Sequence, residues 1–171
     1  RQTADLLNKY KIKFLTTNML GLPTETFEEG LDTIRMNQEI KTDIPWYSVF
    51  QPYAGTDIAI DMQNKFHIPI IEDSIDSDLH SGTVIQSKDA KQLAKLHKFS
   101  IVLTKFPWTL PLVKLLILFP DNFLFRIIHR ISHSWVYSSV TRGGYLNTIW
   151  TGLTYELSRI KNLLFHKKLH K

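Results

Sequence analysis

The chain has 171 residues, 43% of them hydrophobic and 22% charged, with a formal net charge of +5; that is enough for a sizeable core and too apolar for disorder. It contains no cysteine, which excludes disulfides, thiolate zinc sites, a cysteine nucleophile and any iron–sulfur cluster held by cysteines of this chain. The charge is uneven: residues 1–106 carry 12 Lys+Arg against 14 Asp+Glu, a net of −2, and residues 107–171 carry 9 against 2, a net of +7.

The chain opens inside a helix at Arg1-Gln2-Thr3, with no initiator Met, signal peptide or transit segment, and is expected to be the C-terminal part of a longer protein. Ala4, Leu6 and Leu7 among Asp5, Lys9 and Lys11 make a short amphipathic helix. Ile12 to Leu20 is rich in β-branched and large apolar residues and predicts a buried strand. Gly21 and Pro23 stop it, because Pro has no N–H for a ladder and Gly allows a sharp turn. Thr26 with Glu29 three residues on is a capping box, and Phe27, Leu31 and Ile34 follow at helical spacing. That helix fades near Glu39-Ile40-Lys41. Thr42 to Pro45 connects it to a short strand, Trp46 to Phe50. A right-handed crossover makes the two strands parallel neighbours.

Pro52 to Gly55 turns the chain, and Thr56 caps a short helix carrying Ile58, Ile60 and Met62. Ile68 to Gly82 is an irregular acidic stretch with Glu72, Asp73, Asp76 and Asp78. It lacks EF-hand spacing and reads as a solvated loop. Gly82 to Gln86 forms a brief extended segment. Ser87 caps a helix to about Phe106, with Leu93, Leu96, Phe99 and Leu103 on one side. Pro107 and Pro111 break the pattern. Leu112 to Phe119 is then strongly apolar, too short to span a bilayer and interrupted by Lys114, hence a core or interfacial helix. Phe123, Leu124, Ile127, Ile128, Ile131 and Trp135 make an apolar stripe. Gly143-Gly144 ends that helix, and a last one carries Leu146, Ile149, Trp150, Leu153, Leu157, Ile160 and Leu164.

Two stretches of the first third have a familiar order and spacing. Lys11-Ile12-Lys13-Phe14 through Gly21-Leu22-Pro23-Thr24-Glu25-Thr26-Phe27-Glu28-Glu29 resembles the late βα unit of radical S-adenosylmethionine enzymes. Trp46-Tyr47-Ser48-Val49-Phe50-Gln51-Pro52-Tyr53-Ala54-Gly55-Thr56 resembles their last barrel strand and the turn after it, in the branch that carries an N-terminal cobalamin-binding domain. The resemblance implies an α/β fold: residues 1–86 as the last two βα units of a partial (β/α) TIM-like barrel, and residues 87–171 as an α-helical, basic C-terminal extension. It implies a parent enzyme in which a reduced [4Fe–4S] cluster cleaves S-adenosylmethionine to a 5′-deoxyadenosyl radical, with cobalamin-dependent methyl transfer or rearrangement of a small-molecule substrate. The family holds its cluster with three closely spaced cysteines near the start of the barrel, and this chain has none. By itself it is therefore expected to be inactive, supplying part of the adenine and substrate pocket to a missing N-terminal barrel and cobalamin-binding domain.

In a parallel barrel ligands sit at the C-terminal ends of the strands, here Asn18 to Gly21 and Phe50 to Tyr53. The resemblance places Met19 against the adenine, with Gly21 allowing close backbone approach. Side-chain alternation sets Thr16, Asn18 and Leu20 on one face and Leu15, Thr17 and Met19 on the other, and the polar Asn18 is the more natural lumen residue. Both are kept as cofactor-binding candidates. Phe50, Gln51, Pro52 and Tyr53 are candidates for contacts to adenine or substrate, unless that segment is only a turn. Thr24 stands where the family usually has Gly, and if that position has positive φ the threonine is strained. Glu25 reads as a helix-start or supporting carboxylate rather than a general base.

His129 and His133 have i, i+4 spacing without a neighbouring Glu or a third ligand, and read as two exposed histidines flanking Arg130. No nucleophilic triad and no phosphate-cradling glycine loop is visible, and no nucleic-acid-binding motif accompanies the basic half. That half is either a solvated face or a surface for anionic lipid or an acidic partner. The chain is expected in the cytoplasm, with peripheral membrane contact left open. The rival to the enzyme reading is a non-catalytic, membrane-surface or partner-binding helical module.

Overall fold

The structure is a computed structural model, and it describes residues 1–53, 55–65, 67, 85, 88–138 and 150. The acidic stretch 68–82, the extended segment 82–86 apart from Ile85, the Ser87 cap, the Gly143-Gly144 stop and the last helix apart from Trp150 lie outside the described residues, as does Ala54. The described elements are α1 (Gln2–Lys9), β1 (Leu15–Leu20), α2 (Phe27–Glu39), β2 (Ile44–Val49), α3 (Asp57–Asn64), α4 (Lys88–His97), α5 (Ser100–Lys105), α6 (Leu110–Leu116) and α7 (Phe123–Ser138). The fold is α/β. Among the described residues its sheet has two strands, β1 and β2, paired in parallel across the α2 crossover with Leu15 opposite Ile44 and Leu20 opposite Val49. The chain divides into two compact units, Arg1–Arg126 and Ile127–Lys171.

Both strands are shifted from their sequence-based limits, and the hydrogen bonds explain it. Lys11 has φ 55° and the Ile12 N–H goes to the Leu7 carbonyl, so these residues finish α1 rather than begin β1. The Phe14 N–H is taken by the Asp43 carboxylate at 3.1 Å, while the Phe14 carbonyl accepts from Ile44 at 3.2 Å. That last bond starts β2 two residues earlier than its aromatic run suggests. At the other end the Phe50 N–H donates to the Leu20 carbonyl at 2.8 Å, which carries the pairing into the turn.

Pairing sets the two faces of the sheet. Thr16, Asn18 and Leu20 lie beside Pro45, Tyr47 and Val49 on the face covered by helices, where Leu20, Tyr47 and Val49 are buried. Leu15, Thr17 and Met19 lie on the opposite face, and all three are exposed. The helices α2, α4 and α5 pack on the strands and on one another. Gly30 makes the α2–α4 approach possible: a Cβ there would come within 2.2 Å of Leu93 Cδ2. Capping follows local chemistry. Thr26 and Glu29 form the reciprocal capping box of α2, and Thr56 caps α3 through the Ala59 N–H.

The helix expected from Ser87 to Phe106 is interrupted. At its end α4 tightens, with Lys98 N–H bonded to the Lys95 carbonyl and Phe99 N–H to Leu96, and the Ser100 hydroxyl takes the His97 carbonyl at 2.7 Å. These three-residue bonds redirect the chain, so that α5 lies against both α2 and β2. Thr104 donates its hydroxyl to the Ser100 carbonyl and accepts from the Tyr47 phenol at 2.7 Å. Burial holds that phenol well above its ordinary pKa, so it remains a donor.

Pro107 opens a single 3₁₀ turn, and Pro111 sits in the first turn of α6, where its missing N–H costs nothing. In α7 the apolar stripe read from the sequence is not the buried one. Phe125, His129, Ser132 and Val136 are buried, whereas Phe123, Leu124, Ile131 and Trp135 are exposed and Ile127 and Ile128 are half-buried. The Phe125 ring meets Phe99 edge-on at 4.9 Å, and the Asn122 side chain accepts from the Leu124 and Phe125 N–H groups. Those contacts set which face of the helix start turns inward, and hydrophobicity alone predicts another face. Within the second unit His133 stacks on Tyr137 at 5.5 Å. No helix among the described residues is long and apolar enough to cross a membrane.

Candidate functional site

The C-terminal ends of β1 and β2 form a short ledge. Gly21 has φ +83°, and a Cβ there would sit 3.7 Å from Val49 Cγ1, so backbone conformation rather than lack of space requires the glycine. The turn after it is closed by Glu25, whose Oε2 accepts from the Gly21 N–H at 2.5 Å and the Leu22 N–H at 2.9 Å. Half-burial raises the Glu25 pKa, the two backbone donors pull it down, and the neighbouring Glu29 carboxylate raises it again. The net direction is up. A carboxylate already committed to two main-chain donors organises the turn. Thr24 has φ +69°, the left-handed conformation that makes its departure from glycine a strained one.

Asn18 and Met19 are separated by the pleat. Asn18 does not lie on the open face, and this corrects the expectation that polarity would turn it to a lumen. Its side chain donates to the Trp46 carbonyl at 3.0 Å and accepts from Asn37 at 2.8 Å. Asn37, fully buried on α2, also donates to the Thr33 carbonyl and accepts from the Thr16 hydroxyl at 2.6 Å. The polar atoms of Thr16, Asn18 and Asn37 thus satisfy one another between strand and helix, which is what lets an amide be buried there. Sequence reading missed Asn37. Its signal was present, since it continues the Gly30, Leu31, Ile34 spacing of buried positions with a polar residue. Met19 is 47% exposed on the open face, beside Ser48 in the pairing.

The second strand end behaves differently. Phe50 is buried in a cluster with Met62, Ile85 and Ala90. Gln51 and Pro52 are buried as well, and Tyr53 is half exposed. The Tyr53 carbonyl accepts from the Thr56 hydroxyl at 2.7 Å and from its N–H, so this residue also shapes the start of α3. The bond from Phe50 to Leu20 brings the stems of the two turns together. Of the candidates, Met19 and Tyr53 are exposed, Gly21, Phe50, Gln51 and Pro52 are buried, and Asn18 and Glu25 are committed to hydrogen bonds within the protein.

The outer edges of the two strands are unlike. Ile44 and Phe50 point their N–H groups at β1, so Pro45, Tyr47 and Val49 point away from it. On that outer edge Pro45 has no donor, and His97 Nε2 donates to the Tyr47 carbonyl at 3.0 Å. The outer edge of β1, with the main-chain groups of Leu15, Thr17 and Met19, has no strand beside it among the described residues.

Chemically the ledge offers an exposed thioether and main-chain polar groups, and among the described residues it carries no nucleophile–base pair. Among the described residues no group of three or more His, Cys, Asp or Glu side chains is arranged to hold a metal. His129 and His133 have ring centroids 5.9 Å apart, but His129 is buried rather than exposed as its spacing beside Arg130 suggested. No family model matches the chain, and neither does any curated protein or solved structure.

Proposed function

We propose that this chain is the closing part of a radical S-adenosylmethionine enzyme, in which β1 and β2 are the last two strands of a partial (β/α) TIM-like barrel. The observation that carries this reading is the asymmetry of the sheet. Parallel strands are ordinarily buried on both faces, yet here one face is packed under α2, α4 and α5 while the other leaves Leu15, Thr17 and Met19 exposed. The outer edge of β2 is blocked by Pro45 and His97, and among the described residues that of β1 has no strand beside it, as another parallel strand would require. A sheet with one finished edge and one finished face suits the end of a barrel, and its remaining strands join on the β1 side.

The residues fit part of the cofactor set. Met19 suits the flat, weakly polar edge of an adenine, and the exposed Tyr53 and the buried Gln51 border the same strand ends, whereas the Gly21 N–H is already taken by Glu25. The chain does not fit a [4Fe–4S] cluster, since it has no thiolate to ligate one; the cluster ligands, and any cobalamin site, belong to preceding polypeptide. When bound, S-adenosylmethionine and the cluster would supply the radical chemistry, and this chain would position the nucleoside and wall the substrate.

Two measurements test the reading. Sequencing the transcript upstream of Arg1 should find an in-frame segment with three closely spaced cysteines. In that longer protein, Met19→Asp should reduce 5′-deoxyadenosine formation about tenfold or more at unchanged iron and sulfide content, since it sets a charge against the purine. A reading frame without such cysteines, or full product formation by the Met19→Asp protein, overturns it.

A further inference from the structure

We propose that the α6 region is a docking surface for an anionic lipid bilayer, on which the protein lies without crossing it. In α6 and the turn that follows it, Val113 and Ile117 are buried, while Leu112 and Leu115 on the helix and Leu118 and Phe119 in the turn are exposed, Leu118 at 70%. Trp108, at 77%, and Phe106 extend this apolar surface from the preceding turn, their rings 6.5 Å apart. Apolar side chains this exposed usually collapse onto a core; here the chain holds them out. The Lys95 ammonium donates to the Ile117 carbonyl and, at 3.0 Å, to the Phe119 carbonyl, and the buried Lys98 is paired with Asp121. These bonds pin the turn that presents Leu118 and Phe119.

Charge selects the occupant. Residues 99–126 carry Lys105, Lys114 and Arg126 against a single acidic residue, Asp121, which Lys98 already engages. Lys114, on α6 itself, pairs with the exposed Glu28 at 3.1 Å, a contact of the kind that phosphate readily replaces. Exposed Leu, Phe and Trp with Lys and Arg and almost no carboxylate is the composition of a segment that rests in the headgroup layer. Trp is especially suited to that depth, with an apolar body and one polar N–H. Seven residues of α6 are far too few to span the hydrocarbon. The α7 helix, taken by itself, shows the same inversion, with Phe123, Leu124, Ile131 and Trp135 outward.

The test uses the whole chain without S-adenosylmethionine, so its outcome does not depend on the barrel reading. The protein should pellet with vesicles of phosphatidylglycerol and phosphatidylcholine and far less with phosphatidylcholine alone, and high salt should weaken binding. Leu118→Asp, at an exposed position, should lower partitioning about tenfold or more, the factor that withdrawing one leucyl side chain from an apolar phase corresponds to. Brominated lipid should quench tryptophan fluorescence in the wild type and less in Trp108→Phe, compared at equal amounts of vesicle-bound protein. Equal pelleting with both vesicle types, unchanged binding by Leu118→Asp, or a lipid-independent dimer that Leu118→Asp dissociates would each overturn the proposal, the last assigning the face to a second copy.

Discussion

Thr24 and Glu25 are adjacent, and each is held in a state it would not choose in the unfolded chain. Thr24 sits at φ +69°, where a β-branched side chain crowds its own backbone. Replacing it with glycine should stabilise the fold by about 1 kcal/mol in urea denaturation, less the extra chain entropy of glycine, whereas Thr24→Ala should recover little. For Glu25 the pKa is raised, first by burial. The folded chain therefore holds this proton more tightly than the unfolded one. The stability from it is complete below the ordinary carboxylate range and is lost as pH rises through the folded value. Glu29, lowered first by the Thr26 N–H, has the opposite sign: its contribution is present above the ordinary value and fades as pH falls through the folded one. Glu25→Gln keeps an acceptor for Gly21 and Leu22 and removes the titration. Its stability relative to wild type should improve from mildly acidic to neutral pH, measured by thermal melts across that range. A constant difference would count against the buried-carboxylate account.

At the scale of elements, the decisive contact is between α2 and α4. Both helices reach the strands, and Gly30 lets Leu93, itself fully buried, lie where a side chain would otherwise be. Gly30→Val should destabilise by about 1–3 kcal/mol through overpacking, after allowing for the better helix propensity of a residue with a side chain. Leu93→Ala opens a cavity and is costly alone, yet in the Gly30→Val background it should cost less than it does in wild type. Additive denaturation energies in the four-member cycle would show that the two residues do not share the space. The Asn37 network belongs to this scale too. It satisfies Thr16 and Asn18 under α2 and thereby commits Asn18 to the covered face.

For the whole molecule, the open face and the β1 edge should be visible in hydrogen exchange. Thr16, Asn18 and Leu20 turn their main-chain groups toward β2, whereas Leu15, Thr17 and Met19 turn theirs to the open edge. In this chain the amides of Leu15, Thr17 and Met19 should exchange faster than those of Thr16 and Asn18, and much faster than those of Leu93 and Leu96 in buried α4. In a longer protein carrying the proposed barrel strands, the first three should become protected. Uniform slow exchange along β1 in the 171-residue chain would show that this edge is already covered.

The sequence by itself determined what depends on neighbours a few residues away. The Thr26–Glu29 box, the Thr56 cap, the glycine turn at Gly21 and the alternation of two short strands around a crossover helix all arise from contacts within one turn or one pleat. Tertiary structure decided which side of each element faces inward. Alternation separated Asn18 from Met19 but could not say which met the helices, because that rests on Asn37, nineteen residues away. The break between α4 and α5 has no Gly or Pro to announce it; it follows from α5 docking where the Tyr47 phenol meets Thr104. At the start of α7, Phe123 and Leu124 stay exposed while Phe125 is anchored on Phe99. Hydrophobic pattern ranks the faces of an isolated helix, and only the packing of distant segments selects the face that is buried.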